Sequence, residues 1–376
     1  MMARWSARLL PSLAILCLVV LGAACGGGGG GESASPSAAT TTATTPAEIA
    51  GDLELFAYED GFTPGYIGPF KKMYPNLNLR ATAYDSGDAA IAKMRAGFHP
   101  DVINLCVEED AELAMRLGFI QPIDVSRIKE WNNMFPVFKK LHGVEMDGKI
   151  WMVPVDAGVT GMVYNTKAIS PAPTSFKDLF DPKYKGQVAM IDYPVTAIQV
   201  GALALGYSDP LNLTDEQLEA VKNLYIDAKK NGQFRTFFQN DSELANLFRT
   251  HEITFAMGYP SNAQDAKRAG EPVKFTLASE GQILWTCGYG ITTWSKNVDA
   301  AYALINYYLS TKAEAYEAKT WNYMVTNAKT LDVVSEQVKR DANLERPTNM
   351  ENALPAAPPV KGYSKWVRLW QEVKRS

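Results

Sequence analysis

The sequence predicts an α/β protein of two lobes, each a mostly parallel sheet flanked by helices, with a cleft between them. Two observations carry this. Short apolar strands alternate with amphipathic helices along the body of the chain, and the alternation restarts after "KIWMVPVDAGVTGMVYN" (149–165). A strand–helix rhythm implies a parallel sheet covered by helices. The body, residues 51–376, is also long enough for two units rather than one. In open α/β sheets ligands sit at the carboxyl ends of the strands, and two lobes close on them by a hinge.

Each element has its own signal. "DLELFAY" (52–58) alternates as a strand does. "GYIGPFKKMYP" reads as a helix stopped by Pro75, and "LNLRATAY" (77–84) as the next strand. "SGDAAIAKMRAG" (86–97) is a helix with Ser86 at its start and Gly97 at its end. "DVINLC" (101–106) is the apolar run of a strand buried on both faces. "EEDAELAMRLG" (108–118) reads as a helix with carboxylates at its positive end. In the second half "GQVAMIDY" (186–193) and "EITFAMGY" (252–259) read as strands and "SELANLFRT" as a helix. Residues 214–232 are a helix opened by the capping box of Thr214 and Gln217 and stopped at Gly232. The "NLT" at 212–214 fits that helix start better than a glycosylation site. Residues 297–319 read as one long helix with a stripe of Ala301, Leu304, Ile305 and Tyr308. No internal repeat appears.

The N-terminus reads differently. Arg4 and Arg8 precede an apolar run from Leu9 to Leu21, too short for a comfortable spanning helix, with small residues after it. That is the make-up of a secretory signal over residues 1–24. "LGAAC" resembles a bacterial lipobox, with Gly22 where the motif usually has Leu, and implies lipidation of Cys25. The alternative is an ordinary cut nearby that leaves Cys25 as a thiol. Residues 25–50, rich in Gly, Ser, Ala and Thr, form a flexible tether. The expected location is therefore outside the cytoplasm, on the membrane through Cys25.

Losing residues 1–24 removes Arg4 and Arg8 and takes the formal charge from −4 to −6. That acidity argues against nucleic acid as a partner. His99, His142 and His251 stand in unrelated contexts, and no spacing of His and Cys suggests a metal site or a nucleophile pair. No Gly-rich phosphate loop follows a strand. An enzyme is not expected, nor a cofactor. Cys106 and Cys287 are the cysteines of the body; two buried thiols are preferred to one bridge.

Several stretches, in order and spacing, resemble the extracellular solute-binding proteins of ABC importers, and most closely the spermidine/putrescine-binding group. They include "LELFAYEDGFTPGYIGPFKKMYP", "RLGFIQPID", "WMVPVDAGVTGMVYN", "SFKDLFDPKYKGQVAMIDYP" and "AGEPVKFTLASEGQILW". The resemblance spans nearly all of residues 52–330. It implies the two-lobed periplasmic-binding-protein fold of type II, with an ABC permease as partner and a monomeric binder. Lobe one would be 51–155 plus 286–330, and lobe two 156–285 plus 331–376. The strands joining them would cross near Pro154–Gly158 and Leu284–Gly288.

In that group aromatic rings sandwich a methylene chain and carboxylates hold its ammonium groups. Cations favour aromatic faces, and a desolvated ammonium needs a paired carboxylate. By the resemblance Tyr58, Tyr259 and Trp285 take three aromatic positions. Tyr193, Thr196 and Cys287 fall where the group has acids, so the usual amine clamps are missing at three places. Other acids could replace them. Asp156, in the apolar context "PVDAG", ranks first; Glu59 and Asp60 follow Tyr58, and Glu108 and Glu109 follow the strand that ends at Cys106. Glu108–Asp110 could instead be favourable charge at a helix start. Asp192, beside Tyr193, points to the other face of its strand. A cationic solute, polyamine-like or quaternary ammonium, is preferred to a neutral or anionic one on the same fold. A ligand-sensing receptor is the other alternative.

Overall fold

The computed structural model describes residues 48–342, 354–357 and 362–376. The signal, Cys25 and most of the tether lie outside the described residues. Among those described, no helix is long and apolar enough to cross a membrane.

Nine main strands build the sheet: β1 (Gly51–Ala57), β2 (Leu77–Ala83), β3 (Val102–Cys106), β4 (Val153–Asn165), β5 (Val188–Ile191), β6 (Phe234–Phe238), β7 (Phe255–Gly258), β8 (Val273–Thr276) and β9 (Ile283–Thr292). The hydrogen-bonded order is β2-β1-β3-β9-β4-β7-β5-β6, with β8 also on β4. At one end β2, β1 and β3 run parallel, and at the other β7, β5 and β6 do so. The long antiparallel pair β4 and β9 joins the two triplets.

The helices that matter for the site are α1 (Pro64–Met73), α2 (Gly87–Arg95), α3 (Pro194–Ala204), α4 (Asp215–Lys230), α5 (Asp241–Arg249), α6 (Pro260–Arg268), α7 (Val298–Tyr308), α8 (Thr311–Trp321) and α9 (Tyr363–Arg375). The α4 capping box forms as expected: the Thr214 hydroxyl accepts from the Gln217 amide and the Gln217 side chain accepts from the Thr214 amide. Two large apolar cores, with smaller ones beside them, result. One surrounds Leu53, Leu55 and Phe70 with Leu304 and Tyr308 of α7. The other surrounds Val188, Ala189 and Phe255 with Val221 of α4 and Trp370 of α9. Trp285 packs against both.

Three expectations are corrected. Residues 297–319 are not one helix: α7 ends at Tyr308 and α8 begins anew, because the Ser310 hydroxyl caps the Ala313 amide. The segment from Val107 to Ala111 is a wide π-helical turn, and its side chains are mostly buried rather than a solvated helix start. Cys106 and Cys287 form a disulfide and are not two thiols. Their positions are direct partners in the antiparallel register of β3 and β9, so two residues separated by 181 positions end side by side.

Candidate functional site

A cavity of about 840 Å³ opens between the two parallel triplets, at the carboxyl ends of β1, β2, β3, β5, β6 and β7. Each of these strands delivers a lining side chain as it ends. β1 is followed by Tyr58, β2 by Tyr84, β3 ends in Cys106, β5 is followed by Tyr193, β6 by Asp241 and β7 by Tyr259. The β4–β9 pair supplies the floor: Trp285 opposes Gly158, and Cys287 opposes Asp156.

The aromatic floor depends on that pairing. A Cβ on Gly158 would stand 2.2 Å from Trp285 Cζ2, so only glycine lets the indole lie on the strand. Tyr259 meets the ring edge-on at 5.9 Å and Tyr323 at 5.1 Å, and Tyr58 packs on Tyr84 at 4.6 Å. The two edge-to-face contacts on Trp285 and the tilted Tyr58–Tyr84 pair hold the rings around open space.

The charge is lopsided. Eight acidic residues border the cavity against two arginines, Arg249 and Arg268, although Asp192 turns its carboxylate to α9. Both arginines are exposed at the rim, and each is engaged locally: Arg268 with Asp265, Arg249 with Asn246. Among the described residues no Lys or Arg pairs with Asp60, Asp156, Asp241 or Glu109. Burial, with Asp60 close by, pushes Asp241 up to about 7. Burial, with Glu108 and Asp88 close by, pushes Glu109 up to about 8. Asp156 is driven well above the carboxylate range by burial and by the charges of Asp60 and Glu314. Asp60 is raised by burial even though Tyr323 donates to it at 2.7 Å.

Hydrogen bonds cross the cleft directly. Tyr193 donates to Glu109, Ser242 to Glu59 at 3.3 Å, and Tyr363 of α9 to Asp88 of α2 at 2.6 Å. The two sides are therefore drawn together over the cavity.

Of the residues expected from the sequence, Tyr58, Glu59, Asp60, Asp156, Tyr193, Tyr259, Trp285 and Cys287 all line this one cavity, Cys287 as half of the disulfide. Two do not. Glu108 turns away from the cavity toward Thr286 and is raised to about 8 by burial; its neighbour Glu109 takes the wall. Thr196 is buried behind Tyr259, beside its hydroxyl. Asp192 faces α9 with its carboxylate, as strand alternation implied, accepting from Trp370 Nε1 at 2.8 Å and Lys374 at 3.0 Å. Sequence reasoning missed Tyr84, Asp241 and Tyr323. The first two follow the ends of β2 and β6, and the rule that ligands meet strand carboxyl ends would have flagged them. Tyr323 lies beyond α8, after Asn322 turns the chain at φ +59°, and carries no such signal.

Comparison with known proteins agrees with this architecture. A family model described as bacterial extracellular solute-binding protein matches residues 65–346. The spermidine/putrescine-binding periplasmic protein of Escherichia coli (strain K12) is 27% identical over 297 residues, covering 78% of this chain and 82% of that protein. The Tp0655 (TpPotD) lipoprotein of Treponema pallidum superposes with a TM-score of 0.71 at 18% identity, over 86% of this chain and 99% of that one. PotD of Streptococcus pneumoniae, a spermidine/putrescine ABC transporter substrate-binding protein, gives 0.68 at 19% identity, over 86% and 98%. At these identities the structures speak to the fold, whereas the family model spans most of the chain. With its cleft at the strand ends and its match over residues 65–346, the chain belongs to the bacterial extracellular solute-binding proteins.

Proposed function

We propose that this protein captures a small amine, polyamine-like or quaternary ammonium, between its lobes and hands it unchanged to an ABC permease. One observation carries the cationic reading. Asp60, Asp156, Asp241 and Glu109 border an aromatic cavity with no basic partner among the described residues. Buried carboxylates are retained where a counter-charge completes them. An ammonium supplies that charge, and Trp285, Tyr58 and Tyr259 supply faces for its methylene chain.

The acids fall into two groups. Asp60 repels both Asp156 and Asp241, and all three act on Tyr323. Glu109 is grouped with Asp110 and Asp88 near Tyr193. Two acidic ends with aromatics between them favour a solute with two separated positive charges. The 27% identical spermidine/putrescine-binding relative supports the same ligand class.

The lobes would move as 51–155 with 286–330 against 156–285 with 331–376, about β4 and β9. The protein acts as a monomer, tethered outside the cytoplasm by a lipid on Cys25 after removal of residues 1–24. The Cys106–Cys287 disulfide supports an oxidising location.

Thermal melts of the mature chain with putrescine, spermidine, choline, betaine and glucose test the reading. Specific ligands stabilise the fold by mass action. Putrescine or spermidine should raise the melting temperature and glucose should not. A shift with glucose and none with any amine or quaternary ammonium compound would refute the cationic assignment.

A further inference from the structure

Behind the cavity wall lies a buried polar cluster. Asp156 of β4 is 8% exposed, Glu317 of α8 is 3% and Tyr66 of α1 is 1%. Asp156 Oδ1, Glu317 Oε2 and Tyr66 Oη each lack a hydrogen-bond partner. Three orphaned polar atoms from three elements are rare in one place, since buried polar groups are nearly always satisfied. They also belong together. The carboxyl of Glu317 feels the charge of Asp156 and lies beside the Tyr66 hydroxyl, close enough to interact with it but without the geometry of a formed hydrogen bond. Tyr289 and Tyr308 lie beside Glu317, their rings stacked at 4.1 Å, with the Tyr308 hydroxyl spent on the Gly61 carbonyl at 2.6 Å. No Lys or Arg among the described residues pairs with either acid.

Two buried carboxyls without a basic partner call for a positive charge or a proton. Two carboxylates and a phenol offer at most two negative charges and few oxygen donors, which suits a single positive charge. Asp156 also lines the main cavity, so the cluster adjoins it.

We propose that Asp156, Glu317 and the Tyr66 hydroxyl form an inner subsite for one monovalent cation, the size of K⁺ or of a primary ammonium. Its occupant is either the terminal ammonium of the bound amine or an alkali metal ion. The ammonium source rests on the amine reading above; the alkali source does not.

Three measurements on the mature chain separate the outcomes. Melting is followed in KCl, NaCl and N-methylglucamine chloride at equal ionic strength, without solute. Putrescine binding is followed by calorimetry for wild type and Glu317→Gln, and for wild type in KCl against N-methylglucamine chloride. An alkali occupant predicts stabilisation by K⁺ or Na⁺ over N-methylglucamine, lost in Glu317→Gln. An ammonium occupant predicts a loss of putrescine affinity of about tenfold or more in Glu317→Gln, the order seen when one partner of a buried charge pair is removed. It also predicts weaker putrescine binding in KCl than in N-methylglucamine chloride. Identical melting in all three salts, with unchanged putrescine affinity in Glu317→Gln, overturns the subsite and leaves a shared proton between the two acids. If Glu317→Gln does not fold, the wild-type salt series decides: no difference between the salts in melting or in putrescine affinity overturns it. If no amine binds wild type while K⁺ still stabilises it, the subsite stands and the amine reading falls.

Discussion

Helix α8 buries two carboxylates one turn apart, and their surroundings are opposite. Glu314 is wholly enclosed and fully engaged. It accepts from the Thr326 amide at 3.1 Å and hydroxyl at 2.8 Å, the Asn327 amide at 3.0 Å and the Thr330 hydroxyl at 2.7 Å. It is a clip that fastens residues 326–330 to the helix. Glu317 leaves an oxygen orphaned toward Asp156 and three phenols. A buried acid surrounded by donors is part of the scaffold; a buried acid facing other acids waits for a cation. The cavity carboxylates are of the second kind.

The largest expected effect tests that distinction in stability. Glu314→Ala strands four donors and should cost about 3–5 kcal/mol, since each buried donor left without an acceptor costs about 1–3 kcal/mol. Glu317→Ala removes an uncompensated acid and should cost far less, or stabilise the unliganded protein. Urea denaturation of both variants at neutral pH checks this. Equal losses would mean that the two acids do the same structural job.

The same contrast marks what was legible in the sequence. "TKAEAYEAKTW" places identical residues at 314 and 317, and nothing local separates them. The strands and most helices were legible, because periodicity and caps are local: Thr214 with Gln217 closed its capping box as the spacing implied. Residues that end strands were legible too, which is why Tyr58, Tyr193 and Tyr259 meet in one cavity. Register across long separations was not. Cys106 opposes Cys287 only because β3 and β9 pair antiparallel. Rotation within a turn was not legible either, so Glu109 rather than Glu108 faces the cavity. A break after Tyr308 depended on one serine side chain inside a run that otherwise reads as helix.

Proton linkage sharpens the comparison next. Glu314 is sealed from the cavity, so its titration should not respond to solute. Asp241 and Glu109 line the cavity, and burial lifts them to about 7 and about 8 from ordinary values of 3.8 and 4.5. A raised carboxyl binds its proton more tightly in the folded protein than in the unfolded chain. Its stabilising contribution is full below the ordinary value and is lost as pH rises through the folded one. The unliganded protein should therefore lose stability from pH 4.5 toward pH 8. A cation binds the ionised form, so putrescine affinity should rise over the same window, by up to about tenfold per pH unit for each acid still protonated. Calorimetry in two buffers of different ionisation enthalpy should register proton release. Affinity independent of pH between 6 and 8 would place the cation away from both acids.

The smallest expected effect lies on the uncharged floor. Trp285→Ala should cost about 1–3 kcal/mol of amine binding, the scale for an anchoring aromatic. Gly158→Ala reaches the same ring from below without touching any charge. Its added methyl would stand 2.2 Å from Trp285 Cζ2, so either the indole tilts into the cavity or β4 shifts away from β9. Overpacking of this kind costs about 1–3 kcal/mol where the neighbours cannot yield. Here the ring has open space above it, so the lower end applies and the displaced indole should narrow the cavity. Putrescine affinity should fall about tenfold or less, with little change in its pH dependence, because Asp241 and Glu109 belong to other elements. A Gly158→Ala protein that binds putrescine as wild type does would show that the indole face is not part of the contact, and would leave the carboxylates to hold the solute alone.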